Sequence, residues 1–307
     1  MFPRPPNSSL PTHSTLATHS TLATHSINPS DSTTPLHEPA GPRHAAGRRL
    51  RIDRALGGAA ALACYAADLL LPRVCVACDQ PLPPGQDRSG WCALCLDGVA
   101  CQAPRCLLCG NRSACSPCAR CTAAPPPFFA TLVLGAYQPP LDGLIRALKF
   151  AREPWLATPL AAALARHLAW PLQSLLQSIA EPAAGVIMTA VPLSTERLGG
   201  RGYNQSLLIA RALSRRLGLP LDPRALRRAR SGPPQSMLDP AARRRNVEAA
   251  FCARVAQGRT VIVIDDVMTT GATLSATAGA LRAAGAGPVI NIVVARPSHV
   301  QCGPGSP

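Results

Sequence analysis

The chain has 307 residues, and its 31 basic and 16 acidic side chains give a formal net charge of +15. This length leaves room for a sizeable core in one or two domains, and the charge favours an anionic partner. The sequence contains neither a dinucleotide-binding fingerprint nor a Walker A motif, which excludes those two nucleotide-binding classes. Aromatic residues make up only 4% of the chain, so stacking platforms for single-stranded nucleic acid are scarce.

The N-terminal part of the chain has the composition of a disordered segment. Residues 1–50 are rich in Ser, Thr, Pro and His and contain a six-residue repeat, so they bury too little apolar surface to fold. An apolar stretch follows at residues 55–71, but Tyr65 and Asp68 interrupt it, which disfavours a signal peptide or a membrane span. We predict a disordered tail, an amphipathic helix over residues 51–73, and a cytoplasmic protein without a membrane span.

A cysteine-rich module is predicted at residues 74–124, which contain ten of the 13 cysteines. Eight of these form four pairs with two-residue spacing, as in zinc knuckles, whereas a disulfide framework would not need this repetition. We predict a double zinc ribbon with two structural four-thiolate sites, since zinc would supply folding energy to so small a module. The predicted ligands are Cys75, Cys78, Cys92, Cys95, Cys106, Cys109, Cys118 and Cys121.

Two features of this module stay open at the level of sequence. Cys115 and Cys118 have the same spacing as Cys118 and Cys121; we favour the second pair, which leaves Cys101 and Cys115 without an assigned role. Sequential and interleaved pairings of the knuckles use the same residues, so the spacing does not determine which knuckles share an ion.

After the spacer at residues 125–127, strand and helix patterns alternate through the predicted domain at residues 128–299, and a tail covers residues 300–307. Such alternation is typical of an α/β fold with a parallel sheet. We predict strands near residues 131–137, 185–191, 261–264 and 290–294, and helices near residues 141–152, 155–172, 203–217 and 274–284.

The strongest motif of the chain lies at residues 261–273 and reads Val-Ile-Val-Ile-Asp-Asp-Val-Met-Thr-Thr-Gly-Ala-Thr. Asp265 and Asp266 follow a buried strand and can accept hydrogen bonds from two ribose hydroxyls, directly or through Mg²⁺. The next turn opens a helix, where free backbone N–H groups and the helix dipole favour a phosphate dianion. An ordinary turn and helix cap is the alternative interpretation. We predict a ribose 5-phosphate site formed by Asp265, Asp266, Thr269, Thr270, Gly271, Ala272 and Thr273.

Two cationic side chains are candidates for a neighbouring pyrophosphate. Lys149 is the only lysine among the 31 basic residues, and its compact ammonium suits a pyrophosphate oxygen, although a solvated charge at a helix end is an equal alternative. Arg197 and Arg201 could clamp the pyrophosphate directly, or they could lie in a mobile loop that closes over it, since glycines in this segment would act as hinges. Of the two, we favour Arg201.

The blocks together resemble the ComF family of zinc-ribbon proteins related to type I phosphoribosyltransferases. The motif at residues 261–273 resembles the phosphoribosyltransferase signature at every position. The family-specific blocks follow the cysteine module in the same order as in that family. They are Ala147-Leu148-Lys149-Phe150, Val191-Pro192-Leu193, Arg201-Gly202-Tyr203-Asn204-Gln205, Gln235, Arg243-x2-Asn246 and Ala250-Phe251.

The resemblance implies a protein that binds phosphoribosyl pyrophosphate with Mg²⁺ and is linked to DNA uptake in natural transformation. If the protein is an enzyme, it is a glycosyltransferase that transfers a pentosyl group to an acceptor that the sequence does not identify. Lys149 and Arg201 would then be catalytic, and Asp265 and Asp266 would hold the ribose. Implied partners are single-stranded DNA and a competence helicase-like protein.

The alternative function is a non-catalytic module of the competence machinery that handles single-stranded DNA. Arginine-rich segments, which we predict to be helical, could follow a phosphate backbone. They lie near residues 211–216, 224–230 and 243–245.

Overall fold

The computed structural model describes residues 73–84, 89–100, 103–179, 185–228, 250–255 and 257–297. These residues lie within one compact unit. The predicted tails and nearly all of the predicted helix at residues 51–73 fall outside the described residues, as do Cys101 and the arginines at 243–245.

The described strands form a four-stranded parallel sheet and a two-stranded antiparallel hairpin. The order in the large sheet is β1-β6-β5-β2, and β3 pairs with β4 in the hairpin. The central β5 and β6 are apolar and buried on both faces, as a parallel sheet covered by helices requires. The strands are β1 (Ala130–Ala136), β2 (Val186–Ala190), β3 (Leu226–Arg228), β4 (Phe251–Ala253), β5 (Thr260–Val267) and β6 (Val289–Arg296).

The α-helices of the described part confirm the alternation that the sequence predicts. The apolar face of α3 buries Leu144, Ile145 and Leu148, and in α6 Leu213 is buried whereas Leu207 and Leu208 are only partly covered. The helices are α1 (Ala93–Val99), α2 (Ala119–Ala123), α3 (Leu141–Phe150), α4 (Ala157–Ser178), α5 (Thr195–Arg201), α6 (Gln205–Leu217) and α7 (Ala272–Ala283). None of the helices in this part of the chain is both long and apolar enough to cross a bilayer.

The predicted mobile loop around Arg197 and Arg201 is wrong, because these residues belong to α5. Ser194 caps the helix by accepting a hydrogen bond from the Arg197 N–H at 3.3 Å. Gly202, with φ of 84°, ends it in the left-handed conformation that glycine adopts freely. These two caps outweigh the low helix propensity of the glycines inside α5.

The helix predicted at residues 224–230 is also wrong in its described part. Leu226 is buried while Arg227 and Arg228 are exposed, and all three pair with β4 in antiparallel register. The arginine pattern is compatible with a solvent-facing strand as well as a helix. Pairing with a distant strand therefore decides the outcome, as is common for short segments.

The cysteine module packs directly on the parallel sheet and its helices. The buried indole of Trp91 donates to the Pro159 carbonyl in α4 at 2.8 Å, and the Thr131 N–H in the edge strand β1 donates to the Leu107 carbonyl at 2.7 Å. Trp91 and Val99 also belong to the main apolar core. The module thus shares its core with the α/β domain, and the exact boundary between them stays a prediction.

Candidate functional site

The two acids of the signature motif lie at the carboxyl end of β5, and both are buried. The Ser206 hydroxyl donates to Asp265 Oδ1 at 2.9 Å, and the Asp266 N–H donates to the same oxygen at 3.0 Å. Asp266 Oδ1 accepts from the Val267 N–H at 2.7 Å. One oxygen of each carboxylate is therefore held by a backbone N–H, which fixes the orientation of both acids at the end of the strand.

The pKa of Asp265 is raised from its ordinary value to about 7. Burial is the largest cause and the adjacent negative charge of Asp266 the second, whereas the Ser206 hydroxyl, the Asp266 N–H and the Lys149 charge act in the opposite direction. Such a carboxyl is poised between its acid and its anion near neutral pH, so a cation or a pair of hydroxyl donors would stabilise the ionised form.

Lys149 contacts the acid pair from the last turn of α3. Its Nζ lies 2.7 Å from Asp266 Oδ2, and its side chain is only 20% exposed. This geometry disfavours the solvated-charge interpretation of Lys149. The Tyr203 hydroxyl donates to the Leu148 carbonyl at 2.5 Å, which ties the end of α3 to the segment that leads into α6.

Arg201 lies beside the residues that contact the two acids, without touching either acid itself. It donates to the side-chain carbonyl of Gln205, the neighbour of Ser206, and its guanidinium stacks 5.4 Å from the ring centre of Phe150, the neighbour of Lys149. Arg197 lies elsewhere on α5. Burial is the largest cause that lowers the pKa of Arg228 in the hairpin, and the positive charge of Arg197 lowers it further. The structure thus places Arg201, but not Arg197, against Phe150 and Gln205, the sequence neighbours of Lys149 and Ser206.

The predicted phosphate loop, residues 269–273, connects β5 to the N-terminus of α7. Gly271 has φ of 86°, and an added Cβ would lie 2.6 Å from Met268 Cε, so a larger residue is disfavoured there. The first turn of α7 contains no acid, and the threonine side chains of the loop are exposed. The Thr270 hydroxyl accepts from the Ala272 N–H at 3.3 Å. Exposed threonine hydroxyls beside a helix N-terminus can bind a phosphate dianion.

The eight predicted cysteine ligands form two groups, and the grouping is sequential. Cys75, Cys78, Cys92 and Cys95 form the first cysteine site, and Cys106, Cys109, Cys118 and Cys121 form the second. Neighbouring sulfurs are 3.8 Å apart between Cys78 and Cys92 and 3.7 Å apart between Cys109 and Cys118. A Zn–S bond of about 2.3 Å places the corners of a tetrahedron roughly 3.8 Å apart. Both groups therefore fit a structural Zn²⁺ ion.

Backbone amides favour the thiolate form at one cysteine of each group, whereas burial and the neighbouring cysteines raise the pKa of Cys78, Cys95, Cys109 and Cys121. Burial raises the pKa of Cys75 and of Cys106, but hydrogen bonds from neighbouring backbone groups outweigh burial and lower each pKa to about 7. Thiolates are the form that binds zinc. Gly110, with φ of 70°, provides a tight turn directly after Cys109. Cys115 is exposed and lies outside both groups, which supports the preference for Cys118 with Cys121.

A parallel sheet with an acid pair at a strand end, followed by a hydroxyl-rich loop at a helix N-terminus, defines a protein of the phosphoribosyltransferase class. Residues 204–301 match the family model described as a phosphoribosyl transferase domain. The DNA utilization protein YhgH of Escherichia coli O157:H7 is 35% identical over 224 residues, covering 72% of this chain and 96% of that protein.

Two further relatives extend the comparison. YhgH of Salmonella typhimurium is 35% identical over 228 residues, covering 72% of this chain and 96% of that protein. Competence protein F of Haemophilus influenzae is 31% identical over 204 residues, covering 64% of this chain and 86% of that protein. The chain therefore belongs to the ComF family of phosphoribosyltransferase-like proteins.

Some residues of the site carry no signal in the sequence. Ser206 is 59 positions from Asp265, and its place in the first turn of a capped helix is ordinary for a serine. Arg120 and Arg296 contact the loop after β5 from the cysteine module and from β6. Only the fold brings these side chains to the motif, so the sequence does not predict them as part of the site.

Proposed function

We propose that the chain binds phosphoribosyl pyrophosphate with Mg²⁺ and transfers the phosphoribosyl group to an acceptor as part of DNA uptake. The observation that carries this proposal is the buried acid pair, held by Ser206 and Lys149 and followed directly by the phosphate loop. Carboxylate oxygens suit both ribose hydroxyls and Mg²⁺.

Each part of the site has a role in this proposal. The phosphate loop binds the 5-phosphate through amides and threonine hydroxyls, and Asp265 and Asp266 orient the ribose. Lys149 and Arg201 stabilise the negative charge that grows on pyrophosphate as it leaves the anomeric carbon. Bound Mg²⁺ would supply further neutralisation of the pyrophosphate. The acceptor stays unassigned.

Calorimetric titration with phosphoribosyl pyrophosphate and Mg²⁺ tests the binding step. We expect Asp265→Asn and Asp266→Asn each to weaken binding about 10- to 100-fold, since each removes charged acceptors of ribose hydroxyls. Asp97→Asn is the matched control, because Asp97 is an exposed acid on α1 and loses the same charge. Absence of binding by the wild-type protein, or equal binding by all variants, would overturn the proposal.

Release of pyrophosphate tests the transfer step with candidate acceptors. Lys149→Met should reduce the rate of release more than it reduces affinity, because Lys149 is assigned to the leaving group. Binding by the wild-type protein without release of pyrophosphate from any acceptor would leave the protein as a binding module.

An arginine-rich surface favours a second activity, the handling of single-stranded DNA. We define the arginine groove as Arg224, Arg227, Arg254 and Arg259, which line two adjoining cavities of about 450 and 240 Å³ beside the β3–β4 hairpin. Among the described residues that line the two cavities, Asp222 is the single acid. The relatives' names, DNA utilization protein and Competence protein F, agree with a nucleic-acid partner.

The arginine groove lies far from the acid pair. Arg259 directly precedes β5, and the acid pair ends this strand of 8 residues. At about 3.3 Å per residue, the two regions are roughly 20 Å apart. DNA binding in the groove is therefore compatible with an occupied phosphoribosyl site.

Fluorescence anisotropy with single-stranded DNA at several salt concentrations tests this second proposal. Combined Arg224→Gln, Arg227→Gln and Arg254→Gln should weaken binding and reduce the salt dependence, by about 0.7 in log–log slope for each lost phosphate contact. The matched control replaces Arg211, Arg215 and Arg216 on α6 by Gln. A larger loss in the control would place the DNA on α6 and refute the groove. A helicase-like partner stays a prediction from the family resemblance.

A further inference from the structure

A buried arginine connects the second cysteine site to the phosphate loop. Arg296 ends β6 and is only 1% exposed. Its Nε donates to the side-chain oxygen of Asn111, and its Nη1 donates to the Met268 carbonyl at 3.3 Å. Met268 lies between the acid pair and Thr269, so one guanidinium contacts both the cysteine module and the segment that enters the loop.

The position of Asn111 depends on the second cysteine site. Asn111 follows Cys109 and Gly110, and its carbonyl accepts from the Cys106 N–H at 2.8 Å. An added Cβ on Gly110 would lie 2.5 Å from Val133 Cγ2 in β1, so the knuckle is tightly seated against the sheet. A metal ion that holds Cys106 and Cys109 together therefore also fixes the acceptor of Arg296.

A second contact joins the same cysteine site to the loop. Arg120 lies on α2 between Cys118 and Cys121, and its Nη2 donates to the Thr270 carbonyl at 3.2 Å. Arg296 and Arg120 thus hold the carbonyls of Met268 and Thr270, which are two residues apart in the chain.

The electrostatics explain why a buried guanidinium is tolerated here. Burial is the largest cause that lowers the pKa of Arg296, and the positive charges of Arg120 and Arg105 lower it further, whereas Cys109 and Cys121 raise it as thiolates. One Zn²⁺ and four thiolates together carry a net charge of −2, so an occupied site stabilises the buried cation.

The two carbonyl contacts determine where the loop amides point. In a trans peptide, the C=O of one residue and the N–H of the next point in opposite directions. Since the Met268 and Thr270 carbonyls face the arginines, the N–H groups of Thr269 and Gly271 are turned away from the cysteine module. Within the described residues, neither of these N–H groups donates a hydrogen bond. They are therefore available to an anion in the loop.

We propose that occupancy of the second cysteine site positions the phosphate loop through Asn111, Arg296 and Arg120, and so sets the affinity of the loop for a phosphoryl group. Arg296 and Arg120 are positioning residues, since they contact the backbone of the loop from the side opposite the ligand. The identity of the ligand rests on the proposed function, whereas the coupling of metal to loop geometry does not.

Hydrogen exchange of the loop, combined with calorimetry on the zinc-loaded protein, tests the coupling between the second cysteine site and the loop. Asn111→Leu removes the acceptor of Arg296 without touching the loop. We expect unchanged zinc content, faster exchange of the amides at residues 269–271, and about tenfold weaker binding of phosphoribosyl pyrophosphate. Asn111→Asp keeps an acceptor oxygen for Arg296 and should restore both properties.

Arg120→Met provides a second variant, with Arg112→Met as its control. Both arginines are exposed residues of the cysteine module, but of the two only Arg120 contacts the loop in the described part of the chain. Faster loop exchange and weaker binding are expected for Arg120→Met alone. If Asn111→Leu loses zinc, the comparison of Arg120→Met with Arg112→Met tests the coupling instead.

Loop exchange tests the coupling, whereas ligand binding by the wild-type protein tests the proposed function. Wild-type-like loop exchange in Asn111→Leu and Arg120→Met, with zinc retained, overturns the coupling even if the protein binds phosphoribosyl pyrophosphate. Absence of ligand binding by the wild-type protein refutes the proposed function, while the exchange measurements still test the coupling. Zn²⁺ alone, added back to chelated protein, should restore loop protection in the wild type more fully than in Asn111→Leu.

Discussion

At the scale of single residues, the ionisation of Asp265 makes stability and ligand binding depend on pH in opposite ways. The pKa of Asp265 in the folded protein is about 7, above the ordinary value near 4. Between these values the folded state binds more protons than the unfolded state, so stability falls as pH rises through this window. The proposed ribose contact needs the ionised carboxylate, so ligand affinity should increase from pH 6 to pH 8.

Thermal unfolding between pH 4 and pH 8 and calorimetry between pH 6 and pH 8 measure the two effects. Asp265→Asn should flatten both profiles, whereas Asp97→Asn should leave both unchanged. Parallel pH profiles for wild-type protein and Asp265→Asn would show that another group controls the titration.

The residue scale also shows what a linear sequence can reveal about the site. Asp265, Asp266 and the loop at 269–273 form one contiguous motif, and strand and helix periodicity on either side predict their placement. Composition distinguishes Lys149 as the single lysine. Its 2.7 Å contact with Asp266, however, depends on the packing of α3 beside β5. Ser206, Arg120 and Arg296 have ordinary local contexts and reach the motif only through the fold.

At the scale of elements, the second cysteine knuckle depends on a glycine that tolerates no side chain. Gly110 has φ of 70°, and a Cβ would lie 2.5 Å from Val133 Cγ2. We expect Gly110→Ala to lower the free energy of unfolding by more than about 1 kcal/mol, the cost of a left-handed conformation alone. Chemical unfolding of the zinc-loaded protein measures this change.

Gly98 provides the matched control for this substitution. It lies within α1, and an added Cβ would meet no atom within 4 Å. Gly98→Ala should therefore be neutral or stabilising by about 0.5–1 kcal/mol, since alanine favours helix. Equal effects of the two substitutions would contradict the close seating of the knuckle on β1.

The elements that the sequence predicted correctly have strong internal patterns. β5, β6 and α3 combine apolar runs or amphipathic periodicity with enough length to identify them. The segments around Arg197 and Arg227 lack such internal patterns. α5 forms because of its caps, and β3 forms because β4 pairs with it. Short polar segments have weak intrinsic preferences, so their partners decide their conformation.

At the scale of the whole molecule, the first 50 residues are predicted to be dispensable for folding and for ligand binding. Their polar, repetitive composition gives them too little apolar surface to build a core. A chain that begins at residue 51 should melt within about 2 °C of the full chain, a shift that corresponds to less than 1 kcal/mol, and bind phosphoribosyl pyrophosphate with equal affinity. A large loss of thermal stability on truncation would contradict this prediction.

The chemistry that is local in the chain can be predicted from the sequence alone: the four cysteine pairs, the acid pair, the phosphate loop, and the long strands and helices. These features depend on spacing, side-chain type and periodicity, which act over a few residues. Three-dimensional packing is needed to show which knuckles share a site, that Lys149 pairs with Asp266, and that Arg296 joins the second cysteine site to the loop. Such contacts bring together residues up to 185 positions apart. Their geometry follows from the packing of the whole core, because no local preference specifies a partner at that distance.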